Sequence, residues 1–171
     1  MFKPLIASLA ATLIASPVLA TNVDPAHYEL GMAVVSTGVT FKINPAECFA
    51  PDSPLGWYWA RKNELVICQE NALRPDTEVN WTAEDFDTLR HEAQHLIQDC
   101  VDGSRQGALD SVYQEPVRLG KEVLGNAAIQ RLIKAYSDKS EHVIILEIEA
   151  AAVAQLNKPS DQASDIRTFC F

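Results

Sequence analysis

The chain has 171 residues, with 14 Lys plus Arg against 23 Asp plus Glu, which gives a formal net charge of −9. That length accommodates one domain with a core large enough to fold alone, and 47% hydrophobic with 22% charged residues is typical of a globular protein. The acidity argues against a nucleic-acid-binding protein, because no surplus of basic side chains exists to neutralise phosphates.

The first twenty residues have the layout of a secretory signal peptide. A lysine precedes the apolar run at 5–15, and small residues lead to a cleavage site before Thr21. This run is shorter than the roughly 20 residues that a membrane span needs, and no later segment is apolar enough to be one. We therefore predict a signal peptide at 1–20 and a single secreted or periplasmic domain at 21–171, with no membrane span after cleavage.

Strand patterns dominate the first half of the predicted mature chain. Residues 39–43 alternate between apolar and polar, and 31–35 is a candidate partner strand across a short turn. Two further strands are predicted at 55–60 and 64–68. The aromatic residues of the first of these are interpreted as core packing rather than as a ligand platform: Trp57, Tyr58 and Trp59.

Helical patterns dominate the second half. One helix is predicted from 83 to about 100, with Thr82 as its N-cap and acidic residues in its first turn. A second is predicted at 117–136, and a third from 141 to about 157, stopped before Pro159. Strands followed by helices indicate an α+β domain, with a small antiparallel sheet packed on about three helices.

The predicted mature chain contains four cysteines, and an even number in an oxidising compartment predicts two disulfides. Cys48, Cys68, Cys100 and Cys170 allow three pairings, and free buried thiols are the alternative. Since no C-x-x-C pair occurs, zinc-ribbon and thioredoxin-type sites are disfavoured. As a working hypothesis, Cys100 at the end of the first helix pairs with Cys170.

Within that first helix stands His91-Glu92-Ala93-Gln94-His95, an H-E-x-x-H sequence. Residues four apart share a helical face, so both imidazoles can reach one metal ion, and Glu92 can act as general base on a water beside it. By chance, this composition gives about 0.006 such matches per chain.

The rest of the helix is consistent with this interpretation. One stripe of about 100° is apolar and should face the core, and both histidines lie on the opposite side. The stripe consists of Phe86, Leu89, Ala93, Leu96, Ile97 and Cys100.

Residues 82–100 resemble the active-site helix of zincin-type metallopeptidases, and residues 63–68 resemble the edge strand that lines their clefts. The resemblance is specific at the H-E-x-x-H and loose elsewhere. It implies a zincin-like fold, a Zn²⁺ cofactor held by His91 and His95, and a peptide or protein substrate that adds to the edge strand.

The third ligand separates the subfamilies of zincins. Metzincins continue with Gly and His at positions where this chain has Gln98 and Val101, so that class is excluded. Gluzincins instead take a Glu from a later helix. The Glu-Ala-x-Ala run that begins at Glu149 resembles the third-ligand helix of compact gluzincins, and a carboxylate in so apolar a segment needs a partner such as a metal.

Glu149 is therefore the preferred third ligand. Glu147 points about 200° away from Glu149 on the same helix and is the second choice. Glu115 has a familiar spacing from His95, but Pro116 disfavours a helical conformation there. Asp99, one turn after His95, is interpreted as a group that orients an imidazole or as a solvated side chain.

The resulting prediction is an exported zinc metallopeptidase of small gluzincin type. The transition-state oxyanion needs a hydrogen-bond donor, and the sequence does not choose between three candidates: Tyr113, Tyr136 and His142. A non-catalytic binding module on a zincin-like fold is the alternative function, and a disulfide-stapled structural protein is a third possibility.

Overall fold

The computed structural model describes residues 22–171 except 102, 104 and 106, so the predicted signal peptide lies outside the described residues. The described part contains three strands, Thr40–Ile43 (β1), Gly56–Trp59 (β2) and Glu64–Ile67 (β3), and two short 3₁₀ turns. It contains six helices: Pro25–Ser36 (α1), Ala83–Cys100 (α2), Pro116–Val123 (α3), Asn126–Ala135 (α4), Glu141–Leu156 (α5) and Pro159–Phe169 (α6). The α+β class is confirmed.

The sheet is mixed rather than antiparallel. Its strand order is β1-β3-β2, with β1 parallel to β3 and β2 antiparallel to β3. The central strand is therefore β3, and the expectation of an edge strand at 63–68 is wrong. Among the described residues, β2 is the edge strand that lies beside α2.

The N-terminal segment is helical, and the strand expected at 31–35 is wrong. The Asp24 carboxylate accepts hydrogen bonds from the backbone N–H groups of Ala26 and His27, and Pro25 occupies the first turn. Both features start a helix. The apolar residues of this segment then follow helical spacing and face the core: Leu30, Ala33 and Val34.

The helical half contains more helices than the sequence predicted. The helix expected at 117–136 is divided into α3 and α4 at Gly125, whose φ of 78° is a left-handed conformation that suits glycine. The helices expected from 83 and from 141 are confirmed, with Thr82 and Ser140 as their caps. After α5 has ended, Pro159 stands in the first turn of a further helix, α6, where its missing N–H is not needed.

Helix α2 lies at the centre of the domain. It packs against β2 and β3, and also against α1, α5 and α6. Its predicted apolar stripe is confirmed, since five of the six side chains are buried in the main core and Phe86 packs against them. The opposite face of α2 is also covered, by α5, so the histidines lie between two helices.

No helix among the described residues is long and apolar enough to cross a membrane. All four cysteines are described, and they form the disulfides Cys48–Cys68 and Cys100–Cys170. The second confirms the working hypothesis. It ties the end of the H-E-x-x-H helix to the residue after α6.

Removing the Cys100–Cys170 disulfide should destabilise the protein more than removing Cys48–Cys68. The sequence separations are 70 and 20 residues, and a longer closed loop restricts the unfolded chain more. The chain-entropy relation gives losses of about 4 and about 3 kcal/mol respectively. Urea unfolding of the two double Cys→Ser variants measures both values, and equal losses would contradict the expected order.

Candidate metal centre

Helices α2 and α5 bring two histidines and a glutamate to one point. His91 and His95 are one turn apart on α2, and their Nε2 atoms are 3.1 Å apart. The carboxylate of Glu147 on α5 lies 3.2 Å from His91 Nε2 and 3.5 Å from His95 Nε2. One ligand atom from each of these residues lies within 4.8 Å of the other two.

This group fits a single metal ion. Zinc binds histidine nitrogens at about 2.0–2.1 Å, so two Nε2 atoms 3.1 Å apart can both contact one ion. Two imidazoles and a carboxylate are also a ligand set used by catalytic zinc sites, which keep a further position open. The donor set supports a divalent metal and does not by itself identify which one.

Burial and charge tie His95 to Glu147. Burial alone would lower the pKa of His95, but the hydrogen bond and charge of Glu147, together with the charge of Glu92, raise that pKa from 6.5 to about 9. Burial would raise the pKa of Glu147, but hydrogen bonds to both histidines hold it well below its usual range. Without a metal, the carboxylate is therefore paired with imidazolium.

The metal-free protein should lose stability as the pH rises from about 6.5 to about 9. A group whose pKa is higher in the folded than in the unfolded chain stabilises the fold below its unfolded pKa, and that contribution is lost as the pH passes the folded value. His95 is such a group.

Urea unfolding in the presence of a chelator, at about pH 6 and about pH 9.5, measures this loss. His95→Asn, which cannot titrate in this range, is the control and should show a weaker pH dependence. An equal free energy of unfolding at both pH values in the unmodified protein would contradict the expectation.

Glu92 lies beside this group and is buried. Its burial raises the pKa of its carboxyl group, and the neighbouring histidines oppose that rise. The backbone of Tyr58 in β2 lies close enough to Glu92 to lower the pKa of its carboxyl group. A Cβ on Gly56 would lie 2.6 Å from the Thr88 side chain and 3.3 Å from Glu92, so only glycine allows β2 to approach α2 this closely.

A cavity of about 440 Å³ opens in front of Glu92 and His91. Tyr136, just after α4, also lines it and lies near the Glu147 carboxylate. Burial and the Glu147 charge raise the pKa of Tyr136, so its hydroxyl stays protonated and can donate. A second cavity, of about 400 Å³, lies beside His95 and Glu147.

The preferred third ligand, Glu149, is placed elsewhere. Its side chain is fully buried and accepts hydrogen bonds from Gln98 and from backbone N–H groups of the segment before α3. It does not belong to the group formed by the histidines and Glu147. Among the described residues, Glu147, the second choice from the sequence, is the one that meets both histidines.

The remaining candidates also lie apart from the histidine pair. Glu115 is exposed and pairs with Arg118. Asp99 is buried and accepts hydrogen bonds from the Tyr58 hydroxyl and the Gly107 N–H, which corrects both interpretations of this residue. Two further residues offered as oxyanion donors are placed as follows: the Tyr113 backbone N–H donates to Glu149, and His142 contacts the Leu109 carbonyl.

Comparison with known proteins gives a family without an assigned activity. Residues 20–171 match the family model described as Domain of unknown function (DUF8637). The chain belongs to this family. No curated protein and no solved structure matches it.

Gln98 is the side chain beside His95 that the sequence analysis overlooked. Its Oε1 lies 2.7 Å from His95 Nδ1 and its Nε2 lies 2.9 Å from the Glu149 carboxylate. In the sequence, Gln98 served only to exclude metzincins. Its position three residues after His95 was the available signal, since residues three apart on a helix are neighbours.

Proposed function

We propose that this protein is an exported zinc-dependent peptidase, with His91, His95 and Glu147 as metal ligands and Glu92 as general base. The observation that carries the proposal is the convergence of these three ligand groups within 4.8 Å, next to a buried carboxylate at the wall of a cavity. A buried cluster of ionisable groups in a cleft is typical of catalytic sites.

A bound zinc ion would supply Lewis-acid polarisation of a substrate carbonyl and would lower the pKa of a water molecule. Glu92 takes the proton of the attacking water as its oxygen adds to the scissile carbonyl carbon. Glu92 then gives that proton to the amide nitrogen as the C–N bond breaks, so the products are an amine and a carboxylic acid, which loses its proton to solvent at neutral pH. Burial raises the pKa of Glu92, which is the direction that helps its carboxyl group to hold the proton between these two steps.

Tyr136 is the best-placed donor for the developing oxyanion. It lines the same cavity as His91 and Glu92, whereas the side chains of Tyr113 and His142 do not. A protonated hydroxyl at the wall of this cavity can stabilise negative charge on the substrate oxygen.

The free edge of β2 is the proposed docking strand for an extended peptide. The Cys68 N–H donates to the Leu55 carbonyl, and pairing alternates along an antiparallel ladder, so the backbone groups of Gly56 and Tyr58 point away from β3. The backbone of Tyr58 lies near Glu92, which places this strand beside the proposed general base. Gly56 and Leu55 line the cavity, so a peptide added to this edge would pass through it.

Export is part of the proposal. The signal-peptide pattern at 1–20 and two disulfides are both typical of proteins that leave the cytoplasm. N-terminal sequencing of the protein recovered from its cells tests it, with Thr21 as the expected first residue.

The decisive experiment combines metal analysis with a peptide-library assay. We expect about one zinc per chain and cleavage that stops with a chelator and returns with zinc. Cleavage that is unaffected by complete metal removal would contradict the proposal.

The position of β2 at the edge of the sheet and the exposure of its last residue, Trp59, also suit a non-catalytic module that binds a partner strand. Such a module would cleave no library peptide, whether or not it binds zinc. A structural protein stapled by disulfides would bind no metal at the histidine pair.

A further inference from the structure

Behind His95, on the side away from Glu147, lies a buried chain of polar side chains. Gln98 and Glu149 are 1% and 0% exposed. His95 Nδ1 is 2.7 Å from Gln98 Oε1, and Gln98 Nε2 donates to Glu149 Oε1 at 2.9 Å and to Leu146 O at 3.2 Å. Such groups are not buried together by accident, because each unpaired polar atom would be destabilising.

The partners of Gln98 determine which way its amide points. Glu149 accepts from the Val112 N–H on one oxygen and from the Tyr113 N–H on the other, both at 3.1 Å, so both of its oxygens act as acceptors. The Leu146 carbonyl can only accept. Two acceptors on one side of Gln98 place its NH₂ group there, and its carbonyl oxygen must then face His95.

That orientation determines the proton on His95. Because the Gln98 oxygen can only accept, Nδ1 of His95 must carry the hydrogen. In the neutral imidazole the lone pair is then on Nε2, the atom that lies next to His91 Nε2 and Glu147. This is the tautomer that a metal ion at that point requires.

We propose that Gln98 and Glu149 are positioning residues that hold His95 as the Nδ1–H tautomer, ready to bind metal through Nε2. The proposal rests on the metal site proposed above and assigns a role to the buried glutamate that the histidines do not contact. Glu149 also holds the segment before α3 through the N–H groups of Val112 and Tyr113, so the orientation of His95 depends on that segment being docked.

The chain offers a matched control on the same helix. Gln94 is also 1% exposed, and its Nε2 also donates to Glu149 Oε1, at 3.3 Å, but the described hydrogen bonds of Gln94 include none to a histidine. Gln98→Met and Gln94→Met therefore remove the same kind of side chain from the same acceptor. Only the first removes the partner of His95.

Two measurements test the proposal, and the first is zinc affinity by competition with a chromophoric chelator. We expect Gln98→Met to bind zinc about 10–100-fold more weakly, whereas Gln94→Met binds it as the unmodified protein does. Unchanged affinity in Gln98→Met, or an equal loss in Gln94→Met, would overturn the proposal. Glu149→Gln should also weaken zinc binding, because its amide NH₂ would face an N–H donor in place of an acceptor oxygen. This variant serves as the test if Gln98→Met does not fold.

The second measurement needs neither metal nor variant. In the metal-free, ¹⁵N-labelled protein, at a pH high enough to leave the His95 imidazole neutral, Nδ1 of His95 should carry a downfield proton that exchanges slowly with water and shows a nuclear Overhauser effect to Gln98. Nε2 should then have the nitrogen chemical shift of an unprotonated imidazole nitrogen. Absence of that proton would overturn the positioning role. An unmodified protein that binds no zinc but shows this proton would refute the proposed peptidase and leave the Gln98–His95 arrangement supported, so the two failures are distinguishable.

Discussion

Glu92→Gln should lower peptide hydrolysis by about 10²–10⁴-fold while zinc stays bound. The amide has the same shape as the carboxylate but cannot take a proton from water. Glu92 does not belong to the group that would hold the metal, so zinc content should not change. Metal analysis and kcat/KM on the same preparation measure both effects.

Glu84→Gln is the matched control for this variant. Glu84 stands on the same helix and lines the same cavity, but it is exposed and lies two turns before Glu92. Its replacement should leave turnover nearly unchanged. Turnover retained in Glu92→Gln, or lost equally in both variants, would remove Glu92 from the role of general base.

Glu147→Gln should weaken zinc binding by about 10³-fold, beyond the 10–100-fold typical of losing a supporting residue. The reason is that the carboxylate lies 3.2 and 3.5 Å from the two Nε2 atoms and would supply the negative charge of the ligand set. Chelator competition measures the affinity.

Glu149→Gln is the natural comparison, because both glutamates stand on α5 two residues apart. This variant removes a hydrogen-bonded carboxylate that does not touch the histidines. Its loss of zinc affinity should therefore stay within about 10–100-fold. A larger loss in Glu149→Gln than in Glu147→Gln would restore Glu149 as the ligand and require α5 to turn when the metal binds.

Local patterns predicted most of the elements around the site. Thr82 and Asp85 form the reciprocal cap that starts α2, and both belong to one helical turn. The prediction of a strand at 31–35 was wrong because the deciding residue lies outside that segment. Its apolar run is short enough to suit either period, and the capping carboxylate of Asp24 decides for the helix from seven residues upstream.

The sheet order was not predictable from the strands themselves. Residues 64–67 are apolar after the first position, which suits a central strand as well as one beside a helix. After β2, the chain reverses and β3 is placed between β2 and β1, so that it runs parallel to β1. That placement depends on how the loops pack and not on local periodicity.

The choice between Glu147 and Glu149 illustrates the same limit at the site. Both carboxylates stand in an apolar helix, and each needs a partner there. The sequence favoured Glu149 because its Glu-Ala-x-Ala run resembles the third-ligand helix of compact gluzincins. In the structure, Glu149 is fully buried and is satisfied by backbone N–H groups and Gln98. Glu147 is half-buried beside a cavity, where an ion can reach it.

By itself, the sequence determined that two histidines and Glu92 stand together on one capped helix, because residues three to four apart on a helix are neighbours whatever surrounds them. It also predicted that the four cysteines would form two disulfides. Only the tertiary structure decided which carboxylate completes the group, since that depends on the rotation of α5 about its own axis against α2. A difference of two residues on α5 turns a side chain by about 200°, so packing alone separates the carboxylate that faces the histidines from the one that is hydrogen-bonded to Gln98.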